Sequence, residues 1–177
     1  AGVQVAPERN KLVCAFSKVI QLELQKRLGP GSSAKAQTLH SVGLQCVRNF
    51  RSNINVSFNS DRADGLAETV CGLRAPDAVK RLVSKLHTKG REIAPHASVM
   101  GDLTDIAIAF ECQPDESWER SGFGLEYVEE KALECMALAA GVKNGDTIDG
   151  SDMIFLPIRN GWLQPMYDLV VVDEAQD

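Results

Sequence analysis

The feature that most constrains this chain is an apolar run close to its last residue. Leu169–Val172 reads LVVV, and the acidic residues Asp173 and Glu174 follow at once. A run of β-branched residues without polar alternation is typical of a strand that is covered on both faces of a parallel sheet. We therefore expect an α/β fold in which this strand lies inside the sheet.

Earlier segments fit the same fold class. Residues 11–16 (KLVCAF) predict a buried strand that is entered from a turn, and residues 34–38 (AKAQT) are a weaker strand candidate. Helices are predicted at residues 19–28, which a Gly-Pro-Gly sequence ends, and at residues 42–50. The alternation of strands and helices indicates a parallel sheet with helices packed on it.

The middle of the chain, from about residue 53 to residue 144, carries few strand signals. Amphipathic helices are predicted at residues 77–87, 103–110 and 125–140, each with apolar residues at helical spacing. These helices should pack on one another and form a subdomain inserted into the α/β core.

After this helical middle the sequence returns to the core. Residues 143–151 (KNGDTIDGS) predict a loop, and an apolar element resumes at residues 152–158. We therefore divide the chain into a first part of the core at 1–50, a helical insertion at 51–147 and a second part of the core at 148–177.

Composition excludes some classes of protein. No apolar stretch approaches the roughly 18 residues that span a bilayer, and the first residues lack the features of a signal peptide, so we expect a cytoplasmic protein. The 5 cysteines are scattered, without a CxxC pair, which favours reduced and mostly buried thiols. A net charge of -5 gives no indication of a nucleic-acid partner, although a local basic groove remains compatible with it.

The clearest chemical signal is the pair Asp173 and Glu174. Ligands of open parallel sheets bind at the carboxyl ends of the strands, where these two carboxylates are expected. Asp173 would hold a magnesium ion that bridges nucleotide phosphates, through water in the coordination shell, and Glu174 would polarise the attacking water. The simpler alternative is an apolar strand that ends in solvated acids.

The complete ending, YDLVVVDEAQD at residues 167–177, resembles the Walker B motif of UvrD/Rep-like superfamily 1 DNA helicases. In that family a glutamine after the acidic pair senses the nucleotide and couples it to the DNA site. The matching residue here is Gln176, and Asp177 completes the string. The resemblance implies ATP and Mg²⁺ as cofactors, with Asp173, Glu174 and Gln176 at the nucleotide.

Residues 15–18 (AFSK) are similar to the family segment AFNK or TFTNK, which precedes a helix and touches single-stranded DNA. The resemblance assigns Phe16, Ser17 and Lys18 to the DNA site. Ser17 stands where asparagine is usual, but its hydroxyl can still donate to a phosphate. Without the resemblance, a strand that turns into a helix through Ser and Lys is commonplace.

Residues 38–41 (TLHS), followed by Gly43, are similar to the family's TFHS segment, which also lies on the DNA strand. The resemblance assigns Thr38, His40 and Ser41 to DNA binding. Leu39 replaces the usual phenylalanine, so this position has no aromatic ring on which a base could stack. Taken alone, His40 would more often be a structural histidine with satisfied hydrogen bonds.

Two further segments bear on the same interpretation. Residues 151–154 (SDMI) resemble the D-[LM]-[LI] element that precedes Walker B, although as plain sequence they are the start of a helix with an N-terminal acid. Basic residues gather on and after the predicted helix 77–87. A solvated helix face is the simpler interpretation, and a phosphate-contacting surface for duplex DNA is the alternative. The basic set is Lys80, Arg81, Lys85, Lys89 and Arg91, with His87.

The resemblance spans nearly the whole chain and implies a partial RecA-like P-loop NTPase core with a large α-helical insertion. The protein would be a fragment of an ATP-dependent helicase that moves on single-stranded DNA. Because the sequence contains no GxxxxGK(S/T) loop, we expect the chain alone to be inactive and to need the remainder of the helicase. Two alternatives stay open: a non-catalytic DNA- or protein-binding module derived from a helicase, and an unrelated small helical protein with an accidental acidic tail.

Overall fold

The structure is a computed structural model that describes residues 10–50 and 55–172. The predicted nucleotide-site residues Asp173, Glu174 and Gln176, together with Asp177, lie outside the described residues. Within the described chain, short parallel strands flank a helical middle. The chain is therefore of mixed α/β type, and the predicted parallel pairing of its strands is confirmed.

The elements follow one another in a simple order. The strands are β1 (Lys11–Ala15), β2 (Ala34–Thr38), β3 (Ser57–Phe58), β4 (Thr147–Ile148) and β5 (Leu169–Val172). The helices are α1 (Lys18–Leu28), α2 (Leu39–Phe50), α3 (Arg62–Cys71), α4 (Asp77–Ile93), α5 (Thr104–Ala109), α6 (Glu116–Arg120), α7 (Leu125–Ala140) and α8 (Gly150–Arg159).

The larger sheet contains three parallel strands in the order β2-β1-β5. The three strands begin and end at nearly the same positions along the sheet. Lys11 pairs with Ala34 on one side and with Leu169 on the other, and Ala15 pairs with Thr38 at the far end of β2. The carboxyl ends of the strands therefore meet at one edge of the sheet, which we call the carboxyl edge.

β5 is an edge strand in the described chain, and the prediction that it is covered on both faces is wrong there. Its side chains are between 37% and 50% exposed, whereas Leu12 and Cys14 of the central strand β1 are buried. Strand β1 is the chief neighbour of β5 among the described elements. The β-branched run thus reflects strand propensity, which sequence alone does not separate from burial.

The main apolar core lies in the helical middle. Buried residues of α4 (Val79, Val83 and Leu86) pack with buried residues of α7 (Val128, Ala132, Cys135 and Met136). Val47 of α2 and Phe155 and Leu156 of α8 belong to the same core. Helices α2 and α8 therefore connect the sheet to the helical middle through continuous apolar packing.

Strands β3 and β4 form a second, two-residue parallel pair that the sequence does not predict. Ser57 pairs with Thr147, and Phe58 with Ile148. The pair is extended on both sides, because Gly145 donates to the Asn55 carbonyl at 2.8 Å and Asn59 donates to the Ile148 carbonyl at 2.9 Å. It holds the two ends of the helical middle side by side.

Several element boundaries differ from the predicted ones. Helix α4 continues to Ile93, beyond its predicted end at residue 87, and α8 begins at Gly150, inside the segment predicted as a loop. The prediction of buried thiols is confirmed, since all five cysteines are buried. No helix in the described ranges has the length and apolar character required to cross a membrane.

Candidate functional site

The segments that the sequence assigns to DNA lie together at the carboxyl edge. Because Ala15 pairs with Thr38, Phe16 leaves β1 at the level where Leu39 leaves β2. Val172, at the end of β5, pairs with Cys14 on the other side of β1. The chain continues from Val172 to the acidic pair, which lies outside the described residues. Two of the three predicted site segments are thus brought to one edge.

Ser17 begins helix α1 at this edge. Its backbone is extended, and its Oγ accepts a hydrogen bond from the Ile20 amide at 3.3 Å, the arrangement of an N-cap residue. The adjacent Lys18 is exposed in the first turn, and Phe16 is 65% exposed. Ser17 therefore has a structural role, while its hydroxyl proton and the Lys18 ammonium face no competing partner in the contacts described.

Thr38 and Ser41 shape the start of α2 in a similar way. The Ser41 amide donates to Thr38 Oγ1 at 3.2 Å, and Ser41 Oγ donates to the Thr38 carbonyl at 2.8 Å. The first bond satisfies an amide that the first helical turn leaves unpaired, and the second holds the Ser41 side chain against the turn. Both hydroxyl groups thus take part in holding the turn between β2 and α2 at the carboxyl edge.

His40 is exposed, so its ring is accessible to a ligand. Its ring lies beside the N-terminus of α8, where a methyl group added to Gly150 would be 3.9 Å from His40 Cδ2 and Nε2. Leu39 is 48% exposed and Phe16 is the exposed aromatic ring of the edge. The edge therefore combines exposed apolar side chains, a cation and hydroxyl groups.

Gly43, which follows the TLHS segment, has a packing role. A Cβ atom at this position would lie 1.9 Å from the Met153 carbonyl oxygen, so the backbones of α2 and α8 touch there. Met153 belongs to the SDMI segment, whose Asp152 is buried. The SDMI segment therefore lies behind α2, and its acid points into the protein.

The sequence did not reveal a set of charges that we call the Arg–Asp cluster, which consists of the buried Arg91, Asp149 and Asp152 and the half-buried Arg62. Arg91 donates to both carboxylate oxygens of Asp149, at 3.0 Å and 2.8 Å, and to Asp152 Oδ1 at 2.6 Å. Arg62 donates to Asp152 Oδ2 at 2.6 Å. Burial raises the pKa of Asp149, but the Arg91 hydrogen bonds and charge outweigh it and hold that pKa below its usual value.

The two aspartates also cap α8. Asp149 Oδ1 accepts from the Asp152 amide at 2.9 Å, and Asp152 Oδ2 accepts from the Asp149 amide at 3.1 Å. This reciprocal pattern is a capping box, and the D-x-x-D spacing before an apolar run was the available signal for it. No local signal marks Arg91, because its partners lie 58 and 61 residues away in sequence.

The prediction of one basic surface on and after the helix 77–87 is wrong for two of its residues. His87 and Arg91 are 0% and 1% exposed, so neither belongs to a solvated or phosphate-contacting face. Burial and the Arg91 charge lower the pKa of His87 to about 4, which leaves its imidazole neutral. Arg81 and Lys85 are exposed as predicted, and Lys80 and Lys89 are half-buried.

Two clefts of the described chain lie away from the carboxyl edge. A cleft of about 300 Å³ lies between α3 and α4 and is lined by Asp64, Glu68, Asp77, Lys80 and Arg81. Another, of about 290 Å³, lies at the amino ends of the strands, with Lys11, Lys35 and Tyr167 among its lining residues. Within residues 10–50 and 55–172, no group of three His, Cys, Asp or Glu side chains could hold a metal ion.

The chain was compared with protein-family models, with curated proteins and with solved structures. None of the three comparisons found a match.

Proposed function

We propose that this chain is part of an ATP-dependent motor of the UvrD/Rep-like helicase type, and that it binds single-stranded DNA across the carboxyl edge. One observation carries the proposal. The AFSK and TLHS segments leave neighbouring parallel strands at the same level, and the strand that leads to the DEAQD sequence lies on the other side of β1. Ligands of open parallel sheets bind at the carboxyl ends of the strands, so this arrangement supports a nucleotide site and a DNA site side by side.

The side chains at the edge suit a nucleic-acid strand. Lys18 supplies an exposed positive charge for a phosphate, and Phe16 supplies an exposed ring on which a base can stack. His40 offers a further hydrogen-bonding group on the adjacent segment, and Ser41 Oγ, whose proton is donated to the Thr38 carbonyl, can accept a hydrogen bond. None of these side chains distinguishes one base from another, so the contact would be independent of sequence.

In this proposal the nucleotide is bound next to the DNA edge. When bound, Mg²⁺ supplies the positive charge that stabilises phosphoryl transfer, and Asp173 would hold it. Glu174 would orient the attacking water, and Gln176 would report the state of the nucleotide. Because β1 and β5 are hydrogen-bonded neighbours, a shift at one strand end reaches the other directly.

A non-catalytic single-stranded DNA-binding module is the second candidate. It is favoured by one observation, which is that the exposed candidates for contact with single-stranded DNA, Phe16, Lys18, His40 and Ser41, all lie in the described chain, apart from the nucleotide-site residues. The two candidates differ in the neighbouring coding sequence. An upstream reading frame that encodes GxxxxGK(S/T) supports the motor, and its absence supports the module.

The DNA edge can be tested with a fluorescent oligothymidylate and the purified chain. We expect measurable binding that weakens as salt increases, because Lys18 displaces a counterion from a phosphate. Lys18→Ala should weaken binding by roughly threefold to tenfold and reduce the logarithmic salt slope by about one.

Lys26→Ala is the matched control, since Lys26 lies in the last turn of the same helix, away from the edge. It should leave the affinity and the salt slope almost unchanged. Equal losses from the two substitutions would show a general charge effect, and no loss from Lys18→Ala would remove the support for the assigned edge.

A further inference from the structure

The Arg–Asp cluster lies where the chain enters and leaves the helical middle. Arg62 is the first residue of α3, shortly after β3, and Asp149 follows β4 directly. Strands β3 and β4 are paired, so these two crossings are neighbours in space. Arg91 reaches the same point from the last part of α4. The cluster therefore ties three helices together at the junction between the two parts of the protein.

Net stability is a weak explanation for such a cluster. Its two arginines and two aspartates balance in charge, but both Arg91 and Asp152 are essentially inaccessible to solvent. Removing charges from water carries a desolvation cost that their mutual attraction often fails to exceed, and apolar residues of similar volume can be as stable or more so. The free energy of folding alone does not require charges at this position.

The cluster can instead fix the orientation of the helices that it joins. The planar guanidinium of Arg91 meets the Asp149 carboxylate through two nearly parallel hydrogen bonds and contacts Asp152 with a third. Bonds of this kind fix both the distance and the angle between the groups that they join. Beside the cluster, α4 and α8 share one exposed hydrogen bond, from Ser151 Oγ to Glu92 Oε1 at 3.0 Å. Their buried contacts are apolar, and hydrophobic attraction has no preferred direction.

The orientation set at the cluster is passed to the carboxyl edge. On its other side α8 lies against α2, where the Met153 carbonyl leaves no room for a Cβ on Gly43. Helix α2 begins with Leu39, His40 and Ser41. A rigid path therefore runs from α4 through the cluster and α8 to the start of α2.

We propose that the Arg–Asp cluster is an orienting joint, which fixes the angle between the helical middle and the sheet-bearing part of the chain while adding little net stability. The joint does not depend on DNA binding or on nucleotide hydrolysis. It makes the helical middle a rigid extension of α8, so that any ligand contacted by both parts meets a single fixed geometry.

Double electron–electron resonance tests the joint. Spin labels are attached through p-acetylphenylalanine at Lys85 of α4 and Arg48 of α2, both exposed, so the five native cysteines stay unlabelled. The parent chain should give one narrow distance distribution. In the quadruple variant Arg62→Met, Arg91→Met, Asp149→Ser and Asp152→Leu, no buried charge of the cluster remains, and the serine introduced by Asp149→Ser still caps the helix.

We expect the quadruple variant to fold with a thermal midpoint close to that of the parent, and its distance distribution to be about twofold wider. Arg91→Lys, which retains the charge but not the planar fork, should also widen the distribution. Arg27→Met removes an exposed arginine that is paired with Glu23, and it should change neither quantity.

Two results would overturn the proposal. A folded quadruple variant with the parent's narrow distribution, supported by an unchanged distribution in Arg91→Lys, would show that apolar packing sets the angle. A quadruple variant that does not fold would show that the cluster supplies stability and is not chiefly an orienting device.

Discussion

His87 and Arg91 lie one turn apart on the same face of α4, and burial affects them in opposite ways. Arg91 meets two carboxylates and stays charged. His87 contacts the Ala63 carbonyl through Nε2 at 3.1 Å, and its Nδ1 has no hydrogen-bond partner within the described part of the chain. The neighbouring guanidinium opposes a second positive charge. A basic residue type in the sequence is thus a poor guide to charge in the fold.

The neutral state of His87 predicts a loss of stability in mild acid. Its pKa falls from 6.5 to about 4 on folding, so the unfolded chain binds the proton more readily. The contribution of neutral His87 to the unfolding free energy is complete above pH 6.5 and is lost as the pH falls towards 4. The difference between the pKa values of the folded and unfolded chain corresponds to roughly 3 kcal/mol of unfolding free energy.

Urea unfolding at a series of pH values between 7.5 and 4 measures this dependence. His87→Gln, whose amide can still donate to Ala63, should have a lower but much flatter stability profile across that range. The exposed His96 provides the control, since His96→Gln should keep the slope of the parent. A parent slope that survives in His87→Gln would assign the acid sensitivity to other groups.

Helices α2 and α8 pack so closely that only a glycine fits at position 43, where a Cβ would lie 1.9 Å from the Met153 carbonyl oxygen. We predict that Gly43→Ala destabilises the chain by about 2 kcal/mol, because the new methyl group meets the backbone of Met153 and the helices must separate. Chemical denaturation monitored by circular dichroism measures the change.

Gly65→Ala is the matched control for this substitution. Gly65 lies within helix α3, and no atom is within 4 Å of the position of an added Cβ. This variant should gain about 0.5–1 kcal/mol, because alanine loses less backbone entropy in a helix. Destabilisation of both variants by the same amount would remove the special role of the α2–α8 contact.

Elements with a strong local period could be predicted from the sequence, and those fixed by distant contacts could not. Helix α7 has its predicted bounds because its apolar spacing and Gly141 define it locally. Helix α4 continues past Gly90 to Ile93. A Cβ at Gly90 would lie 2.8 Å from Met136 Sδ, so this glycine allows the helix to pack closely on α7 and does not end it. The two-residue strands β3 and β4 arise only from their pairing across 90 residues.

The candidate site divides in the same way. The AFSK and TLHS segments could be found because each is short and continuous, and parallel pairing brings them together. The Arg–Asp cluster was missed because Arg91 has no partner near it in sequence. The exposure of β5 was missed because a run of valines indicates a propensity for strand structure. It does not indicate whether neighbouring elements bury that strand.

Burial is uneven over the whole molecule. Helices α4 and α7 contribute seven and six buried residues, whereas α1 contributes none, and β5 is half-exposed. Regions with few buried apolar contacts open at a lower free-energy cost than the core. The sheet-bearing part therefore has a stable interior strand, β1, between less protected elements.

We expect native-state amide hydrogen exchange to follow this pattern. Peptides that cover α1 and β5 should exchange faster than those from α4 and α7, after correction for intrinsic rates, because their opening exposes little apolar surface. Mass spectrometry at several low urea concentrations measures the order of opening. Protection of α1 equal to that of α7 would contradict the burial pattern as a measure of local stability.

The short pairing of β3 with β4 has an evolutionary consequence. Because Ser57 and Thr147 are paired neighbours, the segment between them departs from and returns to nearly one point. Residues can be gained or lost at loop tips within that segment without changing the gap that the rest of the protein must bridge. Selection could thus resize this lobe in related chains and leave the adjoining strands undisturbed.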